Sequence, residues 1–382
     1  MKVLIVVTHL LGTGHLARAL VLAQAQRAAG HDVHVITGGM PAPHLDAKGL
    51  TVTQLPALKS DGVNFTRLLD ASGQEATSAM LDARRTACLR VLDEMQPHVV
   101  ITELFPFGRR VLSDEFKPLL EAAAAMTPRP VICCSVRDIL APPSKPAKAE
   151  VTAALIDTFY DAVLVHSDPQ ITPLEASWPV GDKLRKKLRY TGFVCPPPAA
   201  DHRSGRPAKN VIVSAGGGSV GGPLNDAALK AAALAPDLHW HLLVGGGDSR
   251  DRIGALKNLA SKNTTIEPVR PDFREMLYSA GASVSMCGYN TALDILQAGT
   301  PAVFIPFDAG DEVEQTLRAT ALQKLDGIEI LKSADLSAHA LVEAVRSALH
   351  AGPRAPFRQS MNGAGRTVDI LSELCESMCH AR

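Results

Sequence analysis

NVIVSAGGGSVGG, residues 210–222, decides the fold: a β-branched run, Val211 to Val213, breaks into a loop carrying five glycines. An Ala/Leu-rich helical stretch follows. Strand, glycine turn and helix start together open a βαβ unit, and main-chain amides at such a helix start can cradle a phosphate. The chain begins with the same grammar. KVLIVV (2–7) runs into Gly12-Thr13-Gly14-His15, and the stretch from Leu16 to Ala29 reads as a helix stopped by Gly30.

Working outward from the two loops, short apolar runs keep alternating with helical stretches. In the first half DVHVIT (32–37), HVVITE (98–103), PVICCS (130–135) and AVLVHS (162–167) read as strands. CPPPAADHRSGRPA (195–208) carries no periodic apolar pattern and reads as a linker. After NVIVSAGGG (210–218) come HWHLLVGGG (239–247), NTTIEPV (263–269), ASVSMCG (282–288) and PAVFIPF (301–307). The expected organisation is a doubly wound α/β domain over 1–194, a linker over 195–209, a second such domain over 210–355, and a C-terminal helical segment over 356–382 whose packing the sequence leaves open. Sheets of this kind bind ligands at the carboxyl ends of their strands, so a pair facing each other would place a site in the cleft between them.

Composition narrows the function. Of 382 residues, 46% are hydrophobic and 20% charged, enough to build full cores. Lys plus Arg and Asp plus Glu are both 39, so the basic excess typical of a nucleic-acid binder is absent. Seven cysteines, odd in number and scattered through apolar segments, suit buried thiols in a reducing cytosol better than a disulfide framework. Cys375, Cys379 and His380 are explained as well by a C-terminal helix as by a metal site, and no metal is expected. No apolar stretch is long enough to cross a membrane, which leaves a cytoplasmic protein with at most peripheral contact at the inner membrane face.

Three loops carry the candidate chemistry. Gly14 can let the chain approach an anion closely, and His15, beside it, is placed to act as a general base. By itself the same tetrapeptide also reads as an ordinary tight turn. The second loop, with Gly216, Gly217, Gly218 and Ser219, is in the right context for a phosphate cradle. A dinucleotide fold of the NAD type would want Gly-x-Gly-x-x-Gly and an acid about 20 residues on; here Asp248 ends the next strand about 30 residues on. The third and most specific stretch is Met286-Cys287-Gly288-Tyr289-Asn290-Thr291-Ala292-Leu293-Asp294, then Gln297-Ala298-Gly299-Thr300-Pro301 and Glu314-Gln315-x-x-Arg318-Ala319. Asn290 and Thr291 fall where a helix start would meet a diphosphate, and Asp294, one turn in, can accept from two ribose hydroxyls. Glu314 and Gln315 can bond sugar hydroxyls.

This third stretch resembles the donor-binding signature of GT-B glycosyltransferases, two Rossmann-like domains facing across a cleft. It is most similar to the bacterial branch around the GlcNAc transferase of peptidoglycan lipid-intermediate synthesis, with a family-28-like C-terminal domain. The likeness spans nearly the whole chain in order, with its specificity in the last hundred residues. The resemblance implies a nucleotide-sugar donor, with uridine the base expected here, and hexose transfer to a hydroxyl with inversion and without a metal. It implies that Asp294 binds the ribose, that Gly288, Asn290 and Thr291 meet the diphosphate or sugar, that Glu314 and Gln315 meet the hexose, and that the backbone at Val269 meets the base edge. His15 would act on the acceptor side. The acceptor stays open between a lipid-linked compound, a polysaccharide precursor and a small molecule. Two departures stand out: Met286 replaces a phosphate-contacting histidine, leaving Arg270 as the substitute cation, and Asp294 replaces a longer glutamate.

Glu103 and Asp138 both follow expected strands and are candidates for orienting His15 or for taking the acceptor proton; strand-end acids paired to local arginines read equally well. The basic run 183–189 reads as a solvated helix face before it reads as a lipid contact. Phe105-Pro106-Phe107 either lines an acceptor pocket or fills core. Gly-x-Gly-His-x-x-Arg, Gly12 to Arg18, also resembles nucleotide-sugar hydrolases, so hydrolysis, epimerisation and non-catalytic sensing of a nucleotide-sugar are the rival readings.

Overall fold

The computed structural model describes residues 1–60, 67–199, 209–216, 221–246, 249–308, 312–357 and 360–380, the side chain of Cys379 excepted. The chain forms two compact units, Met1–Cys195 with Asn362–Arg382, and Pro196–Met361.

The first unit is built on strands β1 (Lys2–Val7), β2 (Asp32–Gly39), β3 (Thr51–Leu58), β4 (Val99–Glu103), β5 (Val131–Arg137), β6 (Ala162–His166) and β7 (Leu188–Tyr190). They form one seven-stranded sheet in the order β3-β2-β1-β4-β5-β6-β7, and every pairing is parallel. Both faces are covered. Val3, Ile5 and Val7 of β1 belong to one apolar cluster and Leu4 and Val6 to another, which explains why the strand reads as an unbroken apolar run. The helix Gly363–His380 closes this unit, with Ile370 and Leu371 in the same cluster as Val3 and Ile5. Its first residue can only be glycine, since a Cβ there would lie 2.5 Å from the Gly192 carbonyl oxygen.

The second unit repeats the plan with β8 (Asn210–Ser214), β9 (His239–Val244), β10 (Thr264–Pro268), β11 (Ala282–Ser285), β12 (Ala302–Phe304) and β13 (Ile328–Ile330). Their order is β10-β9-β8-β11-β12-β13, again all parallel.

The strand order reverses direction at β1/β4 in the first sheet and at β8/β11 in the second. At such a switch point the loops leaving two adjacent strands diverge to opposite faces and leave a crevice at the carboxyl edge. The Gly12–Gly14 loop and Glu103 therefore share one crevice, and the loop after Ser214 shares the other with Met286–Asn290.

Strands β3, β7 and β13 are additions to the sequence reading. All three are edge strands; β3 contains Pro56, and β7 and β13 have three residues each, so they lack the apolar run that marks a central strand. The basic run divides between the helix Asp182–Lys187 and β7. Much of its charge is used locally: Lys183 pairs with Asp157, Arg185 with Glu175, and the Lys187 ammonium donates to the carbonyls of Ile156, Asp157 and Tyr160, at the end of the helix Pro146–Phe159. Phe105 and Phe107 fill core. Phe105 stacks on Phe116 with ring centroids 4.6 Å apart, and Phe107 meets Trp178 edge-on at 5.1 Å. Among the described residues no helix is long and apolar enough to cross a membrane.

Candidate functional site

In the first unit the helix Gly14–Ala28 starts directly after the glycine loop, so His15 sits in its first turn and Arg18 lies one turn on, on the same face. Gly12 adopts φ +63°, the left-handed turn that brings the chain round to this helix. Glu103 ends β4 beside them, and Leu104 holds φ 69°, a backbone conformation costly for a leucine, fixed by its N–H donating to the Ser135 carbonyl at 2.8 Å. The result is a compact polar cluster. His15 Nδ1 lies 2.8 Å from Glu103 Oε1, Arg18 donates to the same oxygen, and Ser135 Oγ donates to Glu103 Oε2 at 2.6 Å.

The charges in this cluster are determined by their surroundings. Burial alone would raise the Glu103 pKa; Arg18, the His15 ring and the Ser135 hydroxyl outweigh it and pull the carboxyl down to about 2. Burial pushes His15 down to about 3, with Arg109 and Arg18 acting the same way and Glu103 opposing them. Glu103 is thus an anion that only accepts, and His15 a neutral ring. Arg18 Nη2 also stands 3.2 Å from His15 Nδ1, but two lone pairs cannot face each other across the His15–Glu103 contact. Nδ1 therefore carries the proton and donates to Glu103, which leaves the lone pair on Nε2. Among the described residues Nε2 makes no hydrogen bond, and the side chain is 13% exposed. A ring held in this tautomer presents its Nε2 lone pair as a proton acceptor, and Glu103 offsets part of what burial and the two arginines cost the protonated ring.

Glu103, of the two expected carboxylates, is the one bonded to His15. Asp138 is buried after β5 and accepts from the backbone N–H of Ile139 at 2.8 Å, so the structure places it in a turn. Gly14 is exposed at the start of the helix. Arg18, Ser135 and His166 complete the cluster and were not among the sequence candidates. The signal for Arg18 was its spacing from His15; Ser135 lies within β5 and His166 ends β6, in strands that otherwise read as apolar runs.

In the second unit the helix Tyr289–Ala298 begins after Gly288, so Asn290 and Thr291 occupy its first turn, where backbone N–H groups lack intrahelical acceptors. Gly299 ends this helix at φ +69°; a Cβ there would lie 2.4 Å from the Arg354 carbonyl oxygen. Asp294, one turn in and 15% exposed, receives a hydrogen bond from Arg274 Nε at 3.0 Å. Burial raises its carboxyl to about 6 despite that pairing. Arg274 further donates to the Pro197 carbonyl and to Gln297 Oε1, tying the strand-end region to the chain entering this unit. The ion pair is a feature the sequence reading lacked.

Gly216 takes φ +80° in the loop after β8, while Gly217, Gly218 and Ser219 lie outside the described residues. Gly221, where that loop enters the next helix, packs so closely that a Cβ would meet Ala215 Cβ at 2.4 Å. Val269 follows β10, 40% exposed, with its N–H bonded to the Val244 carbonyl. Glu314 is buried at the first turn of the helix Glu314–Leu322, and Gln315 Oε1 accepts from the Phe307 N–H at 3.2 Å, bracing the loop after β12. Arg270 is engaged by both Asp272 and Glu267 in a surface ion-pair group, so the cation expected to stand in for the missing histidine is already paired.

Residues 212–373 match the glycosyltransferase family 28 C-terminal domain. The whole chain is similar to the UDP-N-acetylglucosamine–N-acetylmuramyl-(pentapeptide) pyrophosphoryl-undecaprenol N-acetylglucosamine transferase of Acidovorax sp. (strain JS42), at 26% identity over 96% of this chain and 85% of the relative. The enzyme of the same name from Thiobacillus denitrificans is 27% identical over 57% of this chain and 60% of its own length. Among solved structures, MurG of Acinetobacter baumannii superposes with a TM-score of 0.65 at 16% identity, covering 98% of this chain and all of that one. The kitacinnamycin glycotransferase gives 0.64 at 16% identity, covering 97% of this chain and 98% of its own.

Two doubly wound units of this form and these matches define a glycosyltransferase of GT-B architecture. Within that class residues 212–373 match the family 28 C-terminal domain, and the chain as a whole resembles the MurG transferases.

Proposed function

We propose that the protein transfers a hexose from a UDP-linked sugar to an acceptor hydroxyl, with the donor held by the second unit and the acceptor by the first. The observation that carries the reading is the His15–Glu103 pair, with its proton on Nδ1 and its lone pair on Nε2. In this reaction Nε2 takes the acceptor hydroxyl proton as the oxygen attacks the anomeric carbon and the bond from that carbon to the diphosphate breaks. Charge gathers on the departing diphosphate, where first-turn amides around Gly288, Asn290 and Thr291 and those of the Gly216 loop provide electrostatic stabilisation. Asp294 accepts from the ribose hydroxyls once they replace Arg274 as its partner, Gln315 and Glu314 address the hexose, and the backbone at Val269 the base. Attack opposite the leaving group inverts the anomeric centre. The relatives named above use UDP-N-acetylglucosamine and a polyprenyl-diphosphate-linked acceptor, which supports a uridine donor and an acceptor presented at a membrane surface.

The test is release of UDP from a panel of UDP-hexoses, with and without candidate acceptors. Acceptor-dependent UDP release, abolished in His15→Ala, supports the proposal. Free sugar and UDP formed equally fast without acceptor would instead make the protein a hydrolase.

A further inference from the structure

We propose that Ser135 and His166 are positioning residues for the His15–Glu103 pair, forming a buried hydrogen-bond relay that fixes the Glu103 carboxylate and, through it, the tautomer of His15. The inference rests on the reading of His15 as the base and extends it to two side chains that touch neither donor nor acceptor.

The relay follows from strand register and from counting protons. Ser135 on β5 lies in register with Glu103 on β4, and His166 ends β6 next to β5. Ser135 and His166 are both closed to solvent. Ser135 Oγ stands 2.6 Å from Glu103 Oε2 and 2.9 Å from His166 Nε2. A hydroxyl has one proton, and an anionic carboxylate can only accept, so that proton points at Glu103. His166 Nε2 must then be the donor to Ser135 Oγ. Burial, aided by Arg18 and opposed by Glu103, lowers His166 to about 3, so the ring is neutral and its single proton lies on Nε2. Nδ1 faces Thr191 Oγ1, 2.8 Å away, whose single proton is divided between Nδ1 and the Gly192 carbonyl oxygen, 2.7 Å from the hydroxyl, which makes this the weakest link.

Every donor in the series points towards Glu103: His166 to Ser135, Ser135 to Oε2, and His15 and Arg18 to Oε1. Successive bonds of one direction polarise each other, and a carboxylate as buried as Glu103 that loses one of its donors is left with an unmet acceptor. Removing the relay would free Glu103 to turn towards Arg18, and the acceptor that holds His15 Nδ1–H would no longer be fixed. If Ser135 and His166 only filled a strand edge, their loss would lower stability and leave the His15 tautomer as it is.

Long-range ¹H–¹⁵N correlation spectra of the histidine rings read the relay directly, with His15→Ala and His166→Gln assigning the two rings. In the unmutated protein at pH 7, His15 should be protonated on Nδ1 and His166 on Nε2. Ser135→Ala should shift His15 to a mixture of tautomers and lower kcat about tenfold, with the donor KM within twofold. His166→Phe should do the same, while Ser135→Thr and His166→Gln, which keep a donor, should recover most of the rate. A His166 ring protonated on Nδ1, or an unchanged His15 tautomer in Ser135→Ala, overturns the proposal. The unmutated spectrum decides the proton positions even where a variant fails to fold. Wild-type turnover in His15→Ala would overturn the base itself, a result separate from the tautomers, so the two ideas fail independently.

Discussion

The two switch points of this molecule are built alike and finished differently. At the first, after β1 and β4, the polar side chains answer one another: His15, Glu103, Arg18 and Ser135 are hydrogen-bonded together, with the His15 Nε2 lone pair outside those bonds. At the second, after β8 and β11, the chief features are backbone groups at a helix start and a carboxylate, Asp294, whose present partner is an arginine of its own unit. A preorganised cluster suits proton transfer, where misplacing a ring by a fraction of an ångström is costly. Backbone amides and an exchangeable ion pair suit a ligand that must arrive and leave. On the proposed reading, the difference puts chemistry in the first crevice and donor affinity in the second.

The comparison breaks most readily at His15. His15→Ala should lower kcat about 100-fold or more while the donor dissociation constant stays within twofold, measured by UDP release and by calorimetry. A variant that loses donor affinity instead would move His15 to the other side of the division. Asp294→Ala should show the reverse pattern, weakening donor binding about tenfold or more, since a hydrogen bond to a charged group contributes about 1.5–3 kcal/mol. An unchanged donor dissociation constant would remove Asp294 from the ribose.

Acid sharpens the contrast. In the proposed donor complex the ribose hydroxyls donate to Asp294, so the ionised carboxylate would be the binding form. With its pKa raised to about 6, affinity for an intact nucleotide-sugar should rise with pH through 6 and level off above it. Asp294→Asn should flatten that dependence. The first crevice responds through stability. His15 and His166 are held neutral down to about 3, whereas in the unfolded chain they titrate near 6.5. Below 6.5 the unfolded state binds more protons, so stability falls with pH between 6.5 and 3, by up to about 1.4 kcal/mol per pH unit for each ring. His166→Gln should make the fall shallower in denaturant melts between pH 7 and 5; an equal slope would show that His166 is charged when folded. The smallest effect is expected at Arg270, already engaged by Asp272 and Glu267: Arg270→Ala should change donor affinity less than twofold by calorimetry.

Much of this could be read in advance, for identifiable reasons. Central strands such as KVLIVV are buried on both faces and advertise themselves by composition, and glycine loops mark where helices start. Gly299 and Gly288 fell where the helix Tyr289–Ala298 needs a cap at each end. The edge strands β3, β7 and β13 were missed because they carry little apolar surface, whereas the edge strand β10 was read from 263–269. His15 with Glu103 was legible as a candidate pair because both follow strands, although strand order alone brings residues 88 apart into contact and no spacing reveals that. Asp138 had the same sequence credentials as Glu103; the difference is that β4 adjoins β1 while β5 does not. Arg274 beside Asp294 was invisible because the pairing joins two helices across a fold, and arginines in helices are common.

On the proposed reading the second unit holds a uridine-diphosphate-linked sugar independently of the His15 cluster. Calorimetric titration of UDP into the purified protein, beside His15→Ala and Asp294→Ala, addresses it most directly. The account predicts saturable binding with a dissociation constant below about 1 mM, matched by His15→Ala and weakened in Asp294→Ala. No binding to the unmutated protein at millimolar UDP would contradict it.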